Sequence, residues 1–119
     1  MFSAASEGYT EIIKLLINAS ADVNTTNIFG WSPIHEAAAF GEGDAAEVLI
    51  EAGIDIDRQG LAGDTAIMVA AAYGHPDLVK LLADLGADIY IQDSNNQTVM
   101  DWAMKGEDYE AVKILTLVM

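Results

Sequence analysis

The chain has 119 residues, no cysteine, and 19 acidic against 5 basic residues, for a formal net charge of −14. That length fits one domain, and an apolar fraction of 52% supplies a core and excludes a disordered acidic chain. The composition also excludes a disulfide framework, a thiol nucleophile and a Cys-type zinc site, while the charge repels nucleic-acid phosphate and anionic lipid. No apolar run approaches the about 18–20 residues of a membrane span. The first residues, Met1 to Glu7, lack the basic flank and long apolar stretch of a secretory signal. An intracellular protein is the simplest reading, although a cysteine-free chain is also compatible with export, including into a host cell.

The predicted elements come in pairs. A short helix around Ala4-Ala5 ends near Gly8, and a second carries Ile13, Leu16 and Ile17 at helical spacing. After a turn through Asp22-Val23, the next helix opens at Ser32-Pro33-Ile34-His35. A serine hydroxyl can accept a free backbone N–H there, and proline suits the first helical turn. The small-residue run Ala37-Ala38-Ala39 favours helix and close packing, and Gly41 ends it as a residue free to adopt positive φ. A partner helix begins near Asp44, carries Ala46, Leu49 and Ile50, and stops at Gly53. The third pair starts at Thr65-Ala66-Ile67-Met68, runs through Ala70-Ala71-Ala72 to Gly74, and restarts at Pro76 with Val79, Leu82 and Ala83 before Gly86. The fourth starts at Thr98-Val99-Met100-Asp101 and carries Ala103, Val112 and Leu115.

Sliding the chain by 33 residues superposes these pairs without a gap: Gly30 falls on Gly63, Gly41 on Gly74, Leu49 on Leu82, and Asp55-Ile56 on Asp88-Ile89. A fixed period of this length is the signature of a solenoid. The unit resembles the ankyrin repeat, whose T-P-L-H-x-A signature is approached by Ser32-Pro33-Ile34-His35-Glu36-Ala37. Gly74-His75-Pro76-Asp77-Leu78-Val79 with Gly86-Ala87-Asp88, and the segment from Leu15 to Asn24, are also similar to that family. The resemblance implies an all-α fold: a solenoid of stacked antiparallel helix pairs with short β-hairpin loops. It implies one domain over residues 1–119, with a partial repeat at 1–26, full repeats at 27–59 and 60–92, and a partial repeat at 93–119. It also implies protein binding through the hairpin tips and a concave first-helix surface.

Several positions depart from the family pattern. Asn96 and Glu107 stand where glycine is expected, and Asp101 where histidine is; terminal repeats are atypical because one side lacks a neighbour. The tail Leu117-Val118-Met119 is apolar for a capping end, so it folds back, meets another chain, or continues into a longer protein. Leu16 followed by Asp22-Val23-Asn24 is similar to ankyrin segments whose asparagine is hydroxylated by an oxygenase, though a turn role explains the same residues.

No catalytic residue, cofactor site or metal site is expected. His35 and His75 fall at repeat positions where histidine is structural: the first ties a hydroxyl and backbone groups between units, and the second caps a turn. Neither has a partner at ligand spacing. Gly60-Leu61-Ala62-Gly63-Asp64-Thr65 has glycines but no lysine and no preceding strand, so it is a hairpin tip rather than a phosphate loop.

Two surfaces remain as candidates for recognition. The variable positions of the middle repeats read Ile28, Phe29, Trp31, Ala39 and Phe40, then Leu61, Ala62, Asp64, Ala72 and Tyr73. The scaffold does not need these apolar side chains, and such clusters mark partner sites. The expected partner-binding set is Ile28, Phe29, Trp31, Phe40, Leu61 and Tyr73, with Glu36 and Asp64 as polar rim, and Phe29, Trp31 and Tyr73 facing outward. The partner would be a protein, with no direct nucleic acid and no membrane; self-association through the chain ends is a further option. The alternative is an acidic face: Asp44, Glu47 and Glu51 share one side of a helix, and could occupy a basic site on a nucleic-acid-binding protein. A solvated face that keeps the protein soluble explains the same charges.

Overall fold

A computed structural model describes all residues 1–119. Eight helices follow one another: α1 (Phe2–Glu7), α2 (Thr10–Asn18), α3 (Pro33–Ala39), α4 (Gly43–Glu51), α5 (Ala66–Ala72), α6 (Pro76–Asp84), α7 (Val99–Lys105) and α8 (Tyr109–Val118). The starts of α3, α5 and α7 are 33 residues apart, as are those of α2, α4, α6 and α8. The molecule measures 40 × 24 × 20 Å. None of its helices is long and apolar enough to cross a membrane.

The first helices of the pairs stack in the order α1, α3, α5, α7. Alanine makes this row close: Ala4, Ala5, Ala37, Ala38, Ala66, Ala70, Ala71 and Ala103 are buried along it. The partner helices supply the bulk: Leu49, Leu82 and Leu115 are fully buried one period apart, and Ile13 is fully buried in α2. Burying a side chain of that size contributes about 2 kcal/mol relative to exposure. The core is therefore a ribbon shared between neighbours, not one central cluster.

The tips are turns without strands. Each is closed by a backbone hydrogen bond between its ends, Asn27 N–H to Trp31 C=O, Gly60 to Asp64, and Asp93 to Gln97, with a second inside it from Gly30, Gly63 and Asn96 N–H back to the opening residue. Adjacent tips are joined once each, by Leu61 N–H to Phe29 C=O at 3.0 Å and Ser94 N–H to Ala62 C=O at 2.9 Å. The backbone period outlasts the glycines. Asn96 and Glu107 adopt φ of 61° and 53° at the places where Gly63 and Gly74 have 80° and 75°. A side chain at positive φ costs about 1 kcal/mol, so packing overrides local preference in the last repeat.

The apolar tail does not fold back. Leu117 and Val118 continue α8, and they and Met119 are exposed. Asn24 lies in an exposed turn in which its N–H donates to the Asp22 carboxylate.

Candidate protein-binding surface

The second repeat builds its side of the surface on a buried histidine. Nδ1 of His35 lies 3.1 Å from the Ser32 backbone N–H and 3.1 Å from the Ser32 hydroxyl, and Nε2 lies 2.9 Å from the Asp64 carbonyl in the next repeat. A backbone N–H can only donate, so Nδ1 accepts and Nε2 carries the proton. Burial lowers the pKa of His35 below the ordinary imidazole value; the Asp64 carbonyl and carboxylate oppose that shift without cancelling it. His75 reaches back from the start of α6 to the Ala39 carbonyl, 3.0 Å away. Its side chain makes no cap bond to its own turn, contrary to expectation, and instead ties the third repeat to the end of α3.

Trp31 sits over this scaffold, its ring stacked on His35 at 6.0 Å and 10°. Its indole N–H donates to Asp64 Oδ2 at 2.6 Å. Phe29 and Tyr73 meet it at centroid distances of 6.0 and 6.4 Å. Trp31 is half-buried but still reaches the surface, held by three aromatic rings and an acid. A held aromatic loses little further entropy on binding.

The other expected residues divide. Ile28, Leu61, Phe29 and Tyr73 are exposed by 83%, 77%, 59% and 57%, so none is buried by the repeat next to it. Ile28, Phe29, Trp31 and Leu61 line one depression with Ala62 and Asp64. A second depression is lined by Trp31, Asp64, Met68, Val69, Ala72, Tyr73 and Trp102. Phe40 is exposed but lies outside both. Ala39 is buried, contrary to its expected place on the variable surface. The two rim acids already have internal partners: Asp64 holds Trp31, and Glu36 accepts from Asn27 Nδ2 at 3.1 Å.

Sequence reasoning missed Trp102. Its 33-residue equivalents are Val69 and Glu36, so the repeat alignment does not mark it as aromatic. The signal was the residue that opens each tip. Asn27 Oδ1 accepts the Phe29 and Trp31 N–H groups, and Asp93 Oδ1 those of Asn95 and Gln97. The second side-chain atom of each then meets the first helix, Asn27 at Glu36 and Asp93 at the Trp102 indole N–H, 3.0 Å away. Burial of Asp93 works against its charge, but the Gln97, Asn95 and Trp102 hydrogen bonds and nearby Lys105 hold its pKa below the usual carboxylate value. In the third repeat both members are replaced, by Gly60 and Val69. That pair leaves the second depression.

The aspartates that follow the second helices have turn work to do. Asp22, Asp55 and Asp88 each accept the N–H two residues on, and Asp57 accepts the Asp88 N–H across repeats. Asp44, Glu47 and Glu51 do share a groove, but Lys14 and Thr10 of α2 line it too.

Two family models, both described as ankyrin repeats in many copies, match the chain, one over residues 1–50 and the other over residues 49–103. The chain belongs to the ankyrin-repeat family. Among curated proteins, it is similar to protein phosphatase 1 regulatory subunit 12A of Mus musculus and of Rattus norvegicus, with 54% identity over 39 residues in each case. The same protein from Homo sapiens matches at 57% over 30 residues. The rodent matches cover 33% of this chain and the human match 25%. The chain spans about 4% of the length of these relatives. Ankyrin repeats are in general modules for protein interaction.

Proposed function

We propose that residues 1–119 act as one non-catalytic ankyrin domain that holds a partner protein on its tips and concave first-helix surface. The observation that carries this reading is the exposure of Ile28, Phe29, Leu61 and Tyr73 around a Trp31 that the scaffold itself immobilises. Anchors of this kind, large, apolar and already ordered, dominate binding energy at protein interfaces. Both histidines are taken up by scaffold hydrogen bonds, which supports a role without chemistry. A regulatory role, which the printed name gives to the phosphatase subunits above, fits such a module; the shared stretch is too short to carry that partner over.

The test is affinity capture with quantitative mass spectrometry. Phe29→Lys/Leu61→Lys alters only exposed side chains, so circular dichroism and the melting temperature should match wild type. Partner recovery is expected to fall at least about tenfold, the effect of losing hot-spot anchors. Undiminished recovery from a folded double variant overturns the reading. The acidic-face alternative predicts the reverse: capture survives that variant, is lost on charge reversal at Asp44, Glu47 and Glu51, and falls steeply with salt.

A further inference from the structure

We propose that the depression between Trp31, Tyr73 and Trp102 is a cage for a trimethylated lysine side chain carried by a partner protein segment. This deepens the reading of the tip and first-helix face as a partner surface, and rests on it. The opening measures about 150 Å³ and its lining is apolar except for Asp64. It admits one side-chain head rather than a whole small-molecule ligand. Trp31 and Tyr73 meet nearly edge to face, at 68°, and Trp102 and Val69 line the same depression. Aromatic faces attract cations through the negative lobes of their quadrupole. The chain already uses this property once, with Lys105 Nζ 5.6 Å from the Trp102 ring centre.

The charge balance at the site favours a cation. Asp64 Oδ2 accepts the Trp31 indole N–H, and the unpartnered Oδ1 is buried on the Gly60 side, so the carboxylate acts on the depression through its field rather than by contact. Neither of the two ion pairs in the structure involves Asp64. A negative group at an apolar wall calls for a counter-charge that can shed its water. A bare ammonium would lose hydration to walls that offer its N–H groups almost no acceptor. A trimethylammonium keeps the charge, has no N–H to satisfy, and presents methyl groups to the rings. The excess of 19 acidic over 5 basic residues favours a basic segment around it.

Both tryptophans of the protein line the depression, so intrinsic fluorescence reports occupancy. The probes are acetylated, amidated Gly-Gly-Lys-Gly-Gly peptides bearing trimethyllysine, unmodified lysine, or the neutral tert-butyl isostere of trimethyllysine. The trimethylated peptide should bind about tenfold tighter than either of the others, with calorimetry confirming the order. Asp64→Asn and Tyr73→Ala, both checked for an unchanged melting temperature, should each erase that preference. Lys105→Gln should tighten the trimethylated peptide alone, by removing a like charge. Equal affinity for the neutral isostere, equal affinity for plain lysine, or no fluorescence change at millimolar peptide each overturns the cage. Loss of the cage with partner capture still abolished by Phe29→Lys/Leu61→Lys would leave the interaction module standing.

Discussion

In the second repeat His35 is a buried hub that joins its own N-cap to the next repeat, through Ser32 on one side and the Asp64 carbonyl on the other. In the third repeat the equivalent residue is Met68. The Thr65 N–H reaches only its sulfur, at 3.5 Å, and the buried Thr65 hydroxyl, though placed as in a capping box, makes no well-formed hydrogen bond. The tips differ in the same sense: Asn27 accepts two backbone N–H groups in the second, while Gly60 offers no such acceptor in the third, where Gln59 Nε2 instead donates to the Gly63 carbonyl. The backbones nonetheless follow one register, α3 and α5 spanning Pro33–Ala39 and Ala66–Ala72. A solenoid tolerates this because each repeat leans on its neighbours, so a polar tie lost in one can be supplied from the next. The third repeat has thereby exchanged polar ties for apolar surface, and the second depression lies where they are missing.

The largest expected effect comes from removing the hub. His35→Ala strands the Ser32 N–H and hydroxyl in the core and leaves a cavity, and should lower stability by about 3 kcal/mol in urea unfolding. Met68→Ala, a truncation without orphaned polar groups, should differ by leaving the pH profile intact. That profile is a second readout of His35. Its folded pKa lies below the ordinary value of 6.5, so the unfolded chain binds the proton more readily. The contribution of His35 is therefore whole above about pH 6.5 and declines as pH falls below it toward the folded value. Protonating Nδ1 removes the acceptor for the Ser32 N–H, which is the physical cause. His35→Gln should flatten the stability curve in that window; an unchanged slope would mean that His35 does not hold the second repeat as described.

A smaller effect tests the third tip. A Cβ on Gly60 would stand 2.6 Å from Asp64 Oδ1, 3.0 Å from Trp31 Cδ1 and 3.2 Å from the Phe29 carbonyl. Gly60→Ala should cost about 2 kcal/mol and shift tryptophan emission, because the Asp64 carboxylate must leave the Trp31 indole. Unaltered emission would show that Gly60 is incidental to the seating of that ring.

The 33-residue register, the helix starts and the alanine row were legible in the sequence because one small pattern recurs in each unit and each recurrence confirms the others. The exposed apolar set was legible for the same reason: Ile28, Phe29, Leu61 and Tyr73 fall where the scaffold asks for nothing. What escaped were contacts between particular side chains. Trp31 reads as a free aromatic until Asp64, one period later, is seen to bind it. Trp102 reads as an ordinary first-helix residue until Asp93 is found at its indole N–H. Ala39 reads as variable surface, yet it is buried where the His75 ring crosses to its carbonyl. Each is a bond between particular atoms, whether within one column, as Trp31 and Asp64, or between columns, as Asp93 and Trp102, and a column alignment records only which residue types recur.

The smallest effect should be a gain. Met68→His copies the second repeat into the third. Nδ1 would face the Thr65 N–H and hydroxyl, and Nε2 would point toward the Gln97 carbonyl, the equivalent of the Asp64 carbonyl that His35 meets. Gln97 already accepts the Asp93 N–H, just as Asp64 accepts from Gly60, so a carbonyl in this position can serve two donors. Satisfying a buried hydroxyl and joining two repeats should together raise stability by about 1 kcal/mol after the loss of buried methionine surface. The increment should appear in the thermal midpoint at pH 7.5 and shrink near pH 5.5, where the new imidazole would protonate in the unfolded chain. A destabilised Met68→His protein would show that the third repeat has closed around its apolar floor. The exchange of polar ties for surface would then be a property of the whole depression, and not of Met68 alone.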